Sequence, residues 1–569
     1  MKTNYILDGH IPAKPITDLR NMVFTSADKF GDKILYRYKN NEEIDTYSYN
    51  KLKDEMIYLG TAFKALNLAD NGIAIIGDTH PYYTVTYIAA TTAGGYIVPI
   101  DRDVSYEQTV NFIIRSEVST IFYTKSQNQK IEKISKNLPN IRYFVAIEPE
   151  ENYKFSDKVL TIAEFLKIGK TAYECGNMSY INHKIDMNKM SALLFTSGTT
   201  GTSKGVMLSH NNITASVRGA SDAVAYDERH SLVSVLPPHH TYEMSCELLT
   251  TINLGCEIYI NDSLKHTLKS FSTAKPNALV LVPLFVETMY KRIWDEVKKK
   301  KLTYKLKIAL MANKALLSVG IDLREKIFSQ VTCAFGGNLQ SIVCGGAPLS
   351  AHLIEEFYSF GICIFEGYGI TECSPLVAVN RPGKVKLHSV GTPVIGCQVK
   401  IDKDNPSDET GEILVKGDNV MLGYFKDQEA TDAVFTEDGW FRTGDIGYMD
   451  DENFIFITGR KKNVIIMSNG KNIFPEELEE YLSKTPIILE SVVVERKSET
   501  SDSTLCAIIV PNYEILENKT DEQIASDINA AVKSINKKLP SFKQMRIVEI
   551  RKEPFERTTS KKIQRFKIK

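Results

Sequence analysis

The sequence predicts an α/β protein, with a large multi-subdomain N-terminal body and a small α+β C-terminal domain. Three observations carry this. Strand-like and helix-like segments alternate through most of the chain, which argues for parallel α/β layering. From Gly391 onward the texture changes to short β-like runs bounded by turn residues. After Gly459-Arg460-Lys461-Lys462, a final stretch carries one clear helix start and two β-like runs. The boundary falls near Lys462 and divides the chain into residues 1–461 and 462–569.

The elements follow in order. Ile73-Ala74-Ile75-Ile76-Gly77 reads as a buried strand, His80 to Ala93 as the helix after it, and Ser119 to Tyr123 as the next strand. Leu193-Leu194-Phe195 is an apolar strand that feeds a polar loop, and Ile362 to Phe365 is another strand. Glu412 to Lys416 and Phe454 to Ile457 are short β runs, the second preceded by the turn Asp450-Asp451-Glu452-Asn453. Pro475-Glu476-Glu477-Leu478 starts a helix, because Pro suits the first turn and acids suit the positive helix end. Ser491 to Val494 and Leu505 to Val510 complete the small domain.

Composition narrows the function classes. A chain of 569 residues exceeds what one core usually supports. Hydrophobic residues at 43% and charged residues at 24% exclude wholesale disorder. Lys+Arg 69 against Asp+Glu 70 gives no overall drive toward polyanions, so no nucleic-acid partner is expected. The sum hides two clusters, Lys291 to Lys307 and Ile550 to Lys569, each of net charge +6. Nine cysteines without a C-x-x-C pair point to a reducing compartment and buried free thiols rather than a zinc site. The N-terminus reaches Asp8 before an apolar run forms, and Ala278 to Val286 is broken by Pro283. Neither a secretory leader nor a membrane span is therefore expected, and the protein is expected to be cytoplasmic.

The most informative segment is Thr196-Ser197-Gly198-Thr199-Thr200-Gly201-Thr202-Ser203-Lys204-Gly205. Glycines let backbone N–H groups approach an anion, and hydroxyls donate hydrogen bonds. Lys204 adds a point charge, and a hydroxyl can also ligate Mg2+. A Walker A loop counted from Gly198 needs Gly at 203 and Ser or Thr at 205, and the sequence has Ser203 and Gly205.

This run resembles the signature of the adenylate-forming (AMP-binding) superfamily, which includes acyl- and aryl-CoA synthetases, peptide-synthetase adenylation domains and firefly luciferase. Ser203 stands where many members have Pro. Further segments resemble the family's other motifs in the family's order. His239-His240-Thr241-Tyr242 is similar to the substrate-side loop, which implies an acyl-pocket role for His240 and Tyr242. Gly345-Gly346-Ala347-Pro348-Leu349 is similar to the turn lying against adenine. Gly367-Tyr368-Gly369-Ile370-Thr371-Glu372 is similar to the segment whose Tyr stacks on adenine, whose Thr meets the α-phosphate and whose Glu ligates Mg2+. A hard cation wants such oxygen donors, here Thr196 and Glu372. Asp445, in Gly439-Trp440-Phe441-Arg442-Thr443-Gly444-Asp445, matches the ribose-binding acid, and Arg460 matches its ribose and phosphate partner.

Lys462 matches the hinge position, and Gly470 the residue that leaves space along the pantetheine tunnel. Phe555 to Arg565 resembles the motif presenting the adenylation lysine. Lys562 aligns with that lysine, because Ile563 and Arg565 then fall in place. Glu556 and Lys561 depart from the pattern and leave Lys561 as the alternative. The resemblance implies the family's fold and a two-step reaction. A carboxylate attacks ATP to give acyl-AMP and pyrophosphate, then a thiol takes the acyl group. It also implies that the small domain rotates at the hinge between the two steps.

The whole looks most like bacterial long-chain fatty-acid–CoA ligases, with medium-chain or aryl acids as alternatives. No residue reads as the amine-binding acid of an amino-acid substrate. ATP, Mg2+ and CoA are the expected co-substrates and cation. No carrier domain follows Lys569, which favours CoA over an acyl carrier protein. The two basic clusters suit CoA phosphates, a carrier protein's acidic surface or peripheral contact with anionic lipid. A catalytically dead nucleotide-binding protein of the same fold is the reading from another class.

Overall fold

The computed structural model describes residues 15–40, 43–150, 153–196, 203–466, 472–497, 503–557 and 563–568. They pack as two compact units. The larger holds the described residues up to Gln398 together with Val415–Phe441, and the smaller holds Val399–Leu414 and those from Arg442 onward.

In the larger unit one sheet has eight strands. Their order is Gly423–Tyr424, Lys204–Ser209, Met190–Thr196, Tyr96–Ile100, Gly72–Ile76, Val118–Tyr123, Tyr143–Ala146 and Val159–Thr161. From Met190–Thr196 to Val159–Thr161 neighbours run parallel, and the two strands beyond join antiparallel. The expected strand at Ile73 is Gly72–Ile76, buried at every position. A strand covered on both faces needs unbroken apolar residues, which is why this run shows no alternation. The helix Pro81–Ala93 follows it. His80 caps it by accepting from the Tyr82 N–H at 3.1 Å, Pro81 fills the first turn, and Gly94 ends it at φ +112°. Buried Thr91 and Thr92 donate to the carbonyls of Tyr87 and Ile88 at 3.0 and 2.6 Å, which satisfies their hydroxyls inside the protein.

A second sheet runs Ala278–Leu281, Ser341–Gly345, Cys363–Gly369, Leu376–Val379 and Thr392–Pro393. Its first three strands are parallel, so Leu281, Gly345 and Gly367 lie along one carboxyl edge. That edge is where open α/β sheets bind ligands. The apolar run from Ala278 to Val286 divides at Pro283, with a strand to Leu281 and then the helix Pro283–Lys299. A third sheet joins Ser231–Ser234, Glu257–Ile260, Ile34–Asn40 and Glu43–Ser48. No helix among the described residues is long and apolar enough to cross a membrane.

The smaller unit holds most of a four-stranded sheet of Cys397–Asp402, Gly411–Gly417, Phe441–Met449 and Ile455–Arg460. It also has a three-stranded sheet of Ile488–Lys497, Ser503–Pro511 and Met545–Ile550. Leu478 and Leu482 of the helix Pro475–Ser483, with Ile524 and Ile528 of the helix Asp521–Asn536, share a core with Val493, Ala507 and Ile509 of that sheet. All nine cysteines are free. The expectation of burial fails for Cys175 and Cys333, which are exposed. Each sits at the C-terminal end of a surface helix.

Candidate active site

The antiparallel pair Met190–Thr196 and Lys204–Ser209 brings Thr196 opposite Lys204, with the Thr196 hydroxyl 3.5 Å from the Lys204 carbonyl. Arg115 donates to the Ser203 carbonyl at 2.9 Å, and Phe195 stacks on Phe112 with ring centres 4.4 Å apart. Both flanks of the loop are thus held. Ser197, Gly198, Thr199, Thr200 and Gly201 lie outside the described residues.

The short strand Gly423–Tyr424 pairs with Lys204–Ser209, with Tyr424 opposite Val206. This puts the Tyr424 ring 4.6 Å from the Lys204 ammonium. The same side chain donates its hydroxyl to Glu372 Oε1 at 3.0 Å. Burial, reinforced by Glu372, pushes the Tyr424 phenol far above its ordinary range, so it remains a donor. The Met421 N–H donates to the Glu372 carbonyl at 2.8 Å, which staples the turn Thr371–Cys373 to the same segment. Lys204 and Glu372 are therefore linked through Tyr424, a residue that the motif reading passed over. Its signal was the Gly423-Tyr424 pair after Met421-Leu422, too short to stand out alone.

Gly346, Gly367, Tyr368 and Gly369 line one cavity, and Tyr242 is part of the same wall. Ala347 and Pro348 follow in an exposed turn, and Thr371 is half-buried. Glycine is required here. A Cβ on Gly369 would sit 2.3 Å from the Pro375 carbonyl oxygen, and Gly346 has φ +85°. The Tyr242 hydroxyl donates to the Val343 carbonyl at 3.1 Å, so its ring presents an apolar face. The remaining wall is apolar or weakly polar, with Ala220, Leu232, Cys246, Val280, Val343 and Leu376, and no lining residue is charged. Tyr226 also lines it, and its hydroxyl meets Ser341 Oγ at 2.8 Å near the amino end of the strand Ser341–Gly345.

His240 does not line that cavity. Its ring lies 4.1 Å from that of His239, whose Nε2 is 3.6 Å from Asp101. Burial, then His240, holds the His239 imidazole well below its ordinary pKa and hence neutral. The π-helical turn Met244–Leu249 places Cys246 on the cavity wall and buries Glu247 completely beside Glu243. Burial, and for Glu247 the neighbouring carboxyl, raises both of these acids.

In the smaller unit Asp445 faces Arg460 across two strands, with Arg460 Nε 2.7 Å from the buried carboxylate. Buried Glu412 organises this turn. It accepts from the Gly444 N–H at 3.2 Å and pairs with Arg442 at 3.2 Å and Lys461 at 2.8 Å. Nothing in the motif pattern marked Glu412. Lys462 is exposed in the single turn Lys461–Asn463. Gly470, Lys561 and Lys562 lie outside the described residues. The flanks of the lysine segment are tied together, with Arg557 bridged to Ile563 and the Gln564 N–H donating to the Glu556 carbonyl at 2.8 Å. Glu490 accepts from the Phe555 N–H at 2.9 Å and pairs with Arg557 at 2.8 Å.

The hydroxyl of Thr196 and the carboxylate of Glu372 are hard oxygen donors and fit Mg2+. That ion is held by one or two carboxylates plus substrate phosphates rather than by an all-protein cage. Among the described residues no group of three or more His, Cys, Asp or Glu could hold a metal.

The hairpin tied through Tyr424 to Glu372 and the apolar cavity at a sheet's carboxyl edge belong to the same unit. The chain belongs to the AMP-binding enzyme family, whose main domain matches residues 23–425 and whose C-terminal domain matches residues 462–569. It is 28% identical over 522 residues to the long-chain-fatty-acid–CoA ligase ACSBG2 of Xenopus laevis, covering 86% of this chain and 69% of that protein. It is 27% identical to the long-chain-fatty-acid–CoA ligase FadD15 of Mycobacterium bovis, covering 88% of this chain and 86% of that one. Its fold is shared with the o-succinylbenzoate CoA synthetase (MenE) of Bacillus subtilis, solved with its acyl-adenylate OSB-AMP. The TM-score is 0.71 at 21% identity, over 97% of this chain and 99% of that chain.

Proposed function

We propose that the chain is an ATP-dependent acid–thiol ligase that activates a fatty acid as acyl-AMP and transfers it to CoA, releasing AMP and pyrophosphate. The observation that carries this reading is the uncharged cavity beginning at Gly346 and Tyr368. Each methylene buried there contributes about 0.8 kcal/mol. Val343 and Gly345 line it, and the Tyr226–Ser341 contact stands at the strand's other end. Five residues of strand span roughly 13 Å. An extended alkyl chain, with bonds of about 1.5 Å opened to about 111°, advances roughly 1.25 Å per carbon. The strand itself is thus as long as about ten extended carbons, and the apolar lining continues to Leu254 and Cys256.

The acid is already ionised at neutral pH, with a pKa of about 4–5, so the first step needs no general base. It needs charge neutralisation and in-line positioning. Lys204 and Lys562 supply positive charge, and Thr196 a hydroxyl. Gly346, Ala347, Pro348 and Tyr368 hold adenine, and Thr371 meets the α-phosphate. Asp445 accepts from the ribose hydroxyls, with Arg460 beside it. Thr196 and Glu372 would hold Mg2+, which when bound neutralises phosphate charge. In the second step Gly470 leaves room for the thiol arm. Lys462, at the division between residues 1–461 and 462–569, is the hinge.

ATP–pyrophosphate exchange and thioester formation, measured with acids from C6 to C18 and with CoA or holo acyl carrier protein, test the proposal. Exchange with fatty acids and thioester on CoA are expected. Thioester on the carrier alone makes it an acyl–carrier-protein ligase, and turnover of aryl acids alone removes the fatty-acid reading. Exchange with no acid leaves a nucleotide-binding protein. Lys562→Ala should abolish exchange yet still form thioester from supplied acyl-AMP, and Gly470→Leu should do the reverse.

A further inference from the structure

We infer that the helix Thr303–Ser318 is a membrane-surface element that docks the enzyme on anionic lipid. An ordinary surface helix turns its apolar stripe inward. This helix does so with Leu306, Leu310 and Leu317, half-buried beside buried Asn313, and carries a second apolar stripe on the opposite side. Tyr304, Ile308, Met311 and Ala315 recur at the spacing of one helix face, and that face is turned outward. Tyr304 is 78% exposed, Met311 67% and Ile308 44%. Val319, just beyond the helix, is 70% exposed.

Charge frames the stripe. Lys305 lies on one margin, and Lys307 and Lys314 lie on the other. Lys298 to Lys301 precede the helix, and from Lys298 to Lys314 there are seven lysines and no acid. Apolar side chains in the acyl boundary, with lysine stems reaching back to phosphate, is the arrangement of an interfacial helix. A second copy of this chain is a poor occupant, because it would set the same seven positive charges against themselves. Anionic phospholipid complements both the stripe and its margins.

The mount is firm. Asn313 Nδ2 donates to the Ser359 carbonyl at 3.2 Å. After the helix, buried Arg324 donates to the Tyr358 carbonyl at 2.8 Å and pairs with Asp322 at 3.0 Å. Both contacts reach the helix Ala351–Ser359 or pin the chain beside it, so the exposed face is presented from a fixed base.

Cosedimentation of the full chain with vesicles tests this, using phosphatidylcholine with and without phosphatidylglycerol. Binding only to the anionic vesicles, weakened by salt, is expected. Lys305→Gln/Lys307→Gln/Lys314→Gln should weaken binding on the order of a hundredfold. Tyr304→Ser/Met311→Ser should weaken it at least about tenfold. Both variants should retain the parent melting temperature and the parent rate with a short, soluble acid. In Met311→Trp, a blue shift of the added fluorescence with anionic vesicles alone supports insertion at this position. Equal binding by the parent and both variants, no binding by the parent, or loss of self-association instead of lipid binding would overturn the inference.

Discussion

Val343→Phe should shorten the acids that the enzyme accepts. Val343 lines the cavity two residues from Gly345, so its side chain projects from the same strand face roughly 7 Å below the mouth. That depth corresponds to about five carbons of an extended chain. A phenyl ring there closes the space beneath. Dodecanoate then loses cover for about six methylenes, worth roughly 5 kcal/mol if all is lost and about half that if the tail finds cover at the mouth. Its kcat/KM should fall between about 70-fold and about 5,000-fold. Hexanoate ends near the new ring and should change less than about threefold. Initial rates of thioester formation across the acid series read this directly. A melting curve is needed alongside, because overpacking a strand costs about 1–3 kcal/mol. An unchanged dodecanoate-to-hexanoate ratio would show that the acyl chain does not lie along this strand.

Three other substitutions probe separate parts of the molecule. Tyr424→Phe keeps the ring under Lys204 but removes a hydrogen bond to a carboxylate, worth about 1.5–3 kcal/mol. Acyl-AMP formation should slow about tenfold or more and need more Mg2+, and an unaltered Mg2+ titration would refute the positioning role. Glu412→Ala removes the acceptor of the Gly444 N–H and an acid shared by Arg442 and Lys461, and should destabilise the smaller unit by about 1–3 kcal/mol while weakening ATP binding. A normal melting curve with normal KM for ATP would count against it. Glu243 and Glu247 stay protonated in the folded state above the pH at which the unfolded chain ionises them, so the native state binds more protons there. Stability should therefore fall as pH rises from about 4.5 toward neutrality, by about 1.4 kcal/mol per unit of elevation. Glu247→Gln should flatten that fall in urea titrations, and an equally steep fall would mean that the pair is not its source.

The strands and the motifs were legible where each rests on a contiguous run. Gly72–Ile76 is a strand because its apolar residues are consecutive, and Pro475 starts a helix as its flanking acids suggest. Contacts that depend on distant pairing were not legible. Tyr424 reaches Glu372 only because Gly423–Tyr424 pairs with a strand more than 200 residues earlier. The cavity wall draws on Ala220, Tyr242, Val280, Val343, Tyr368 and Leu376, which no local pattern unites. At Thr303–Ser318 apolar residues lie on both faces, so no local pattern shows that Tyr304, Ile308 and Met311 turn outward. An amphipathic repeat fixes which residues share a face but not whether that face turns inward.

Glu412 carries a consequence for how the sequence varies among relatives. One buried carboxylate serves a backbone N–H, an arginine and a lysine at once. Replacing either cation leaves the buried carboxylate one counter-charge short, whereas replacing the acid leaves Arg442 paired with Asp402 and Lys461 in solvent. Lineages that keep Glu412 should therefore also keep Arg442 and a cation at position 461. Chimeras joined between residues 412 and 442 should combine poorly unless both parents carry the whole set.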